Sequence, residues 1–146
     1  MPSRSHLFAA LAGTITLLGT GAGANPLSEQ AWQNRPLVVS APSGQSAELA
    51  RQTALLEPHL DALRERDMVV VAIIGQTVRS LVGGPVTANA KTLRRHLRLD
   101  ADAFQVVLVG KDTGVKLRSD EPVSASDLFS LIDAMPMRRQ EMRQRQ

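Results

Sequence analysis

The sequence holds no cysteine and no tyrosine, and its 146 residues include only one tryptophan and three phenylalanines. The missing thiols exclude disulfides, thiolate metal sites and every mechanism that passes through a sulfur nucleophile. The shortage of aromatics, at 3%, requires a core built from Leu, Val, Ile and Ala, and provides no ladder of stacking platforms for single-stranded nucleic acid. Long apolar runs are also scarce. The longest, Leu7 to Leu18, is about twelve residues and is diluted by Gly13, Thr14 and Thr16, well short of the roughly twenty needed to span a membrane.

That run reads instead as the apolar centre of a secretory signal peptide. Arg4 supplies the positive start, and Ala22-Gly23-Ala24 is an A-x-A cleavage pattern. The expected organisation is a signal peptide over residues 1–24 and one domain over 25–146. Such a chain is exported, periplasmic or secreted, with no membrane span left after cleavage. Cleavage removes Arg4 and leaves 16 basic against 14 acidic residues, a net charge of +2. From Arg138 onward four arginines face Glu141 alone, so the tail carries +3 and the body −1. A basic arm on a nearly neutral body is not the broad basic stripe of a nucleic-acid surface, and no nucleic acid is expected as partner.

Hydropathy patterning orders the rest. Leu37 to Ala41, between Pro36 and Pro42, is a short buried strand. Leu49, Leu56, Leu60 and Leu63 fall on one helical face, with a kink or break expected at Pro58. Met68 to Ile74 is an unbroken, mostly β-branched strand buried on both sides and stopped by Gly75. Gly83-Gly84-Pro85 is a loop. A second helix over about Thr87 to Leu99 turns Leu93 and Leu97 inward and Arg94, Arg95 and Arg98 to solvent. Phe104 to Val109 and Val115 to Arg118 are strands joined by a hairpin turn at Gly110-Lys111-Asp112-Thr113-Gly114. Ser124 caps a last helix with Leu128, Ile132 and Met135 inward, and beyond Pro136 the polar tail can continue as a short further helix. The expected fold is α/β: a thioredoxin-like three-layer sandwich, with a central four-stranded mixed sheet and helices on both faces.

Three segments carry a family resemblance: Trp32-Gln33-Asn34-Arg35-Pro36-Leu37, the turn and strand from Gly110 to Arg118, and Ile132-Asp133-Ala134-Met135-Pro136-Met137-Arg138-Arg139 with Glu141-Met142. Together they resemble the domain-of-unknown-function 4174 (DUF4174) family, which is similar to parts of animal sushi-repeat-containing and coiled-coil-domain-containing extracellular proteins. The resemblance implies a peroxiredoxin-like, thioredoxin-fold domain in an exported setting, and brings no established activity.

In a thioredoxin-like fold the reactive thiol sits where the first strand meets the first helix. Here that junction is Ala41-Pro42-Ser43-Gly44-Gln45-Ser46, and serine cannot take part in disulfide exchange. The fold's usual proline before the third strand is replaced by Ala103-Phe104. Thiol redox catalysis is excluded. The junction can cap the helix with Ser43 and Ser46, or bind an anion at free N–H groups. Serine catalysis lacks a base in a recognised pattern, because His59 and His96 stand alone. Asp100-x-Asp102 does not continue into a calcium loop, and Met135 and Met137 around a proline suit packing better than copper. No catalytic residue, cofactor site or metal site is assigned.

The strand directions bring charged motifs together. Arg35 and Glu65-Arg66-Asp67 precede two parallel strands. Lys111-Asp112 follows the antiparallel third strand, and the last helix returns Asp133, Arg138 and Arg139 to the same end. Arg35, Arg66, Lys111, Asp112, Asp133, Arg138 and Arg139 form either an ion-pair network that fixes the arm or a surface for an unknown protein or small anionic ligand. The leading functional reading is a binding module. Its alternative is a non-thiol enzyme working at the Ser43–Ser46 junction or at the charged pole.

Overall fold

The structure, a computed structural model, describes residues 25–146, so the expected signal peptide lies outside the described residues. The elements run β1 (Arg35–Ala41), α1 (Ala47–Leu56), α2 (Leu60–Glu65), β2 (Met68–Ile74), β3 (Thr77–Val82), α3 (Ala90–Leu97), β4 (Gln105–Val109), β5 (Val115–Ser119), α4 (Ala125–Asp133) and α5 (Pro136–Gln144). A mixed α/β architecture results, with a five-stranded sheet in the order β3-β2-β1-β4-β5. β1 and β2 are parallel, with Arg35 opposite Met68, whereas β4 runs antiparallel to β1 and β5 antiparallel to β4.

The alternation of side chains along each strand divides the core in two. Leu37, Val39, Val70, Ala72, Val106 and Leu108 face α1, α2 and α4, where Leu49, Leu56, Leu63, Leu128 and Ile132 complete one cluster. Val38, Ile73, Val107 and Val109 face α3, whose Leu93 and Leu97 fill the other together with Leu27. Helices therefore cover both faces, which is why β1 and β2 read as continuous apolar runs. Pro58 breaks the first helix as expected, in a 3-10 turn over Glu57–His59 that separates α1 from α2.

Two expectations need correction. The sheet has five strands, not four. β3 follows β2 through the two-residue turn Gly75-Gln76, with Ile74 opposite Thr77 and Gly75 at φ +58, the left-handed backbone such turns favour. It is a largely exposed edge strand with little apolar signal. Arg94 also does not face solvent. It is 7% exposed, and its guanidinium donates to Ser40 Oγ, to the Gly75 carbonyl and to the Ala41 carbonyl. It thereby satisfies backbone acceptors where β1 and β2 end, and that outweighs solvation of the charge.

Candidate functional site

At the opposite end of the sheet, β1 and β2 begin and β4 ends. α2 finishes at Glu65 with Arg66 as its C-cap, and Asp67, in left-handed backbone at φ 52, turns the chain into β2. The Asp67 carbonyl accepts from the Arg35 amide at 2.8 Å, which aligns the starts of the two parallel strands. α4 then delivers Asp133, and α5, which starts at Pro136, lays Arg138 and Glu141 over the pole.

Arg35 is 1% exposed and grips Glu141 through both terminal nitrogens, Nη2 to Oε1 at 3.0 Å and Nη1 to Oε2 at 3.2 Å. Lys111 Nζ reaches Glu141 at 2.6 Å and Asp67 at 2.8 Å. Asp133 accepts from Arg66 at 3.1 and 2.8 Å and from Arg138 at 3.1 Å. Arg138, also 1% exposed, continues to the Glu65 carboxylate at 3.1 Å and the Glu65 carbonyl at 3.2 Å. The carbonyls of Glu65 and Arg66 at the end of α2 thus receive arginine donors from Arg138, Arg145 and Arg35, which suits the negative end of a helix. The Arg66 guanidinium also stacks on Phe129, 4.1 Å from the ring centre.

Burial on its own pushes the Glu141 carboxyl up. The hydrogen bonds and charges of Arg35 and Lys111 outweigh it, and the group is held below its ordinary range. Asp133 follows the same pattern, with burial overcome by Arg66 and Arg138. Four cations, Arg35, Arg66, Lys111 and Arg138, meet four anions, Glu65, Asp67, Asp133 and Glu141. The cluster neutralises itself.

Of the residues singled out in the sequence, Arg35, Arg66, Lys111, Asp133 and Arg138 come together in this network. Asp112 does not join it. It pairs with Lys116 at 2.8 Å inside the hairpin and accepts from the Gly114 amide at 3.0 Å, and these contacts lower its pKa. Arg139 stands exposed on α5. Glu141, the acid that joins three of the cations, stands in the sequence as the one acid of the basic tail and as part of the family motif, but is not among the site residues singled out there.

Beside the network lies a cleft of about 370 Å³ between the β4–β5 turn and the α4–α5 corner. Leu131, Ala134, Met135, Pro136 and Met137 form an apolar wall, and Arg35, Lys111, Asp112 and Lys116 border it. Its lining has no histidine or serine, so no nucleophile–base pair is assembled there, and its one carboxylate, Asp112, is stabilised in the ionised form. Met135 and Met137 serve as part of the wall. Among the described residues no three His, Asp or Glu side chains are grouped to hold a metal ion. At the far pole Ser46 caps α1 by accepting from the Leu49 amide at 3.3 Å, and Ser43 accepts from the Gln45 amide. Both serines are occupied in local turns. No helix among the described residues is long and apolar enough to cross a membrane.

The chain is therefore a mixed α/β domain, its sheet covered by helices on both faces and one end closed by a network of paired charges. Residues 26–141 match the family described as "Domain of unknown function (DUF4174)", and the chain belongs to that family. It is similar to coiled-coil domain-containing protein 80 of Danio rerio, 28% identical over 135 residues that cover 81% of this chain and 16% of that protein. It is also similar to sushi repeat-containing protein SRPX of Homo sapiens, 32% identical over 114 residues (75% of this chain, 25% of that protein), and to the human SRPX2, 28% identical over 117 residues. The chain spans a quarter or less of the length of these curated relatives. No solved structure matches.

Proposed function

We propose that this chain is an exported, thioredoxin-like domain that acts by binding a protein partner, and that the cleft at the α4–α5 corner is its binding surface. The observation that carries the reading is the cleft itself: an apolar wall of five residues with charged groups on its border, next to a network that holds the surrounding elements in place. Concave apolar surfaces with a few polar groups at the rim are the usual form of a binding site. The relatives add support, because a domain that fills a quarter or less of longer chains is used as a module. On this reading Arg66, Asp133 and Arg138 are scaffold, Arg35 and Lys111 belong to the scaffold and also border the bound partner, and Asp112 and Lys116 border it from the hairpin. Export rests on the signal-type start, and intact mass of exported protein should place the first residue at Asn25.

Ala134, the C-cap of α4, is on the cleft wall and exposed, so Ala134→Phe fills the cleft without entering the core. Retention of envelope proteins by the immobilised domain should include a protein lost with Ala134→Phe and kept with Lys91→Ala on distant α3. Equal retention by Ala134→Phe and wild type would contradict the assignment.

A further inference from the structure

The tail from Arg138 onward carries four arginines against one acid. Two of these five charges, Arg138 and Glu141, turn inward and are absorbed by the network. Arg139, Arg143 and Arg145 remain on the exposed part of α5, and none of them forms an ion pair among the described residues. Arg145 donates to the Glu65 carbonyl, which leaves its charge uncompensated. The carboxylates around them are already matched, Glu65, Asp67, Asp133 and Glu141 within the network and Asp112 by Lys116. The side chains at this end of the molecule therefore leave an excess of three positive charges, all of it on α5.

The border of the cleft also has more donors than acceptors. Arg35 lines it, and its Nε is buried with no acceptor. Lys111 Nζ makes two hydrogen bonds and Lys116 Nζ one, and an ammonium group can make three. Lys116 is held in place: its stem lies against the Gly110 backbone, and Asp112 fixes its ammonium at 2.8 Å. The one acid of the lining, Asp112, already accepts from Lys116 and from the Gly114 amide.

Arg139 and Arg143 lie one turn apart on α5, just beyond Met137 of the cleft wall. A helix is about 10 Å across, so an extended chain leaving the cleft crosses α5 to them in about three or four residues. Guanidinium groups suit carboxylates there, because their paired donors match the two oxygens. The exposed residues of α5 include Arg139, Gln140, Arg143 and Gln144 and no large apolar side chain, so the helix has nothing to insert into a bilayer. We propose that the cleft takes an acidic segment of a partner protein. One large apolar side chain of that segment sits against Leu131, Met135 and Met137, with a carboxylate on one side of it at Lys116 and carboxylates on the other side at Arg139 and Arg143. The assignment rests on the cleft being a binding surface and names the chemistry of what fills it.

Selection of a displayed library of random decapeptides on the immobilised domain should enrich sequences with Asp or Glu on both sides of one large apolar residue. The enrichment should be absent with Ala134→Phe, whose fold circular dichroism checks. An enriched peptide followed by fluorescence anisotropy should bind about fivefold more weakly to the Arg139→Ala/Arg143→Ala double variant at about 50 mM salt, with the gap closing at about 500 mM. Both arginines are exposed and unpaired, so the double variant keeps its fold. Equal binding by the double variant and wild type at low salt would overturn the role of α5. Enriched peptides that lack acids but are still lost with Ala134→Phe would overturn the acidic class and leave the cleft standing. Enrichment unaffected by Ala134→Phe, or none at all, would overturn both. In that last case, binding of phosphatidylglycerol vesicles that the double variant loses would assign the arginines to a lipid surface instead.

Discussion

Removal of Glu141 should damage this domain more than any other single change on its surface. Its carboxylate accepts two bonds from Arg35 and one from Lys111, and it lies 3.7 Å from Arg138. In Glu141→Ala, Lys111 keeps Asp67, and Arg138 keeps Asp133 and Glu65. Arg35 keeps only the Arg66 carbonyl, and its Nε is buried with no partner even in the intact protein. The loss therefore concentrates on one guanidinium that is 1% exposed. Breaking a buried pair by removing one partner costs about 3–5 kcal/mol. Glu141 is 17% exposed and water can enter the space it leaves, which places the expected cost near the lower end, about 3 kcal/mol. For a domain of this size that is a fall of about 10 °C in Tm. Lys116→Ala removes a pair whose side chains are 33% and 44% exposed and should cost about 0–1 kcal/mol. Urea and thermal unfolding measure both. Arg35→Met in the Glu141→Ala background should recover much of the loss, because an apolar side chain of similar length does not need the missing carboxylate. A Glu141→Ala cost no larger than that of Lys116→Ala, or strict additivity with Arg35→Met, would refute the reasoning.

The pH dependence follows from the same groups. Glu141 and Asp133 are held below their ordinary values of 4.5 and 3.8 in the folded state, so the unfolded chain takes up protons first as pH falls. Their contribution is complete above those values and is lost as pH drops through the lowered folded ones; Tm should decline in that acid window, and Glu141→Gln should flatten the decline. Gln52, 1% exposed, donates to the Val123 carbonyl at 2.9 Å and accepts from the Val123 amide at 2.8 Å, tying α1 to the approach of α4. Gln52→Ala orphans both backbone groups and should cost about 2–3 kcal/mol in urea unfolding, with a cost below about 1 kcal/mol counting against it. With no cysteine, the purified chain should not reduce insulin disulfides, and turnover that survives full purification would contradict that.

Much of this architecture was legible because local and global signals agree. The unbroken Met68–Ile74 run, Pro58 inside the helical pattern and the Gly110–Gly114 turn each state their role in a few neighbouring residues. β3 was not legible. An exposed edge strand needs no apolar alternation, and its only signal, the two-residue Gly75-Gln76 turn, looks like a strand end when nothing apolar follows. Arg94 was misread for a related reason: it adjoins Leu93 on the buried arc of α3, and the backbone carbonyls that hold it belong to residues some 20 to 50 positions away. The charged pole could be placed from strand directions alone. Its membership could not, because the turn at Pro136 sets the direction of α5 and so decides that Arg138 and Glu141 point inward while Arg139 stays in solvent.

The cleft exists only if the α4–α5 corner is held in place, so α5 must be part of the fold. Native-state hydrogen exchange tests this most directly. The amides of α5, beginning with Arg139, which donates to the Met135 carbonyl at 2.9 Å, should exchange with protection approaching that of β1 and β2. In Glu141→Ala that protection should collapse while the strands keep theirs. Exchange of the α5 amides at the rate of a frayed terminus in the intact protein would contradict the account.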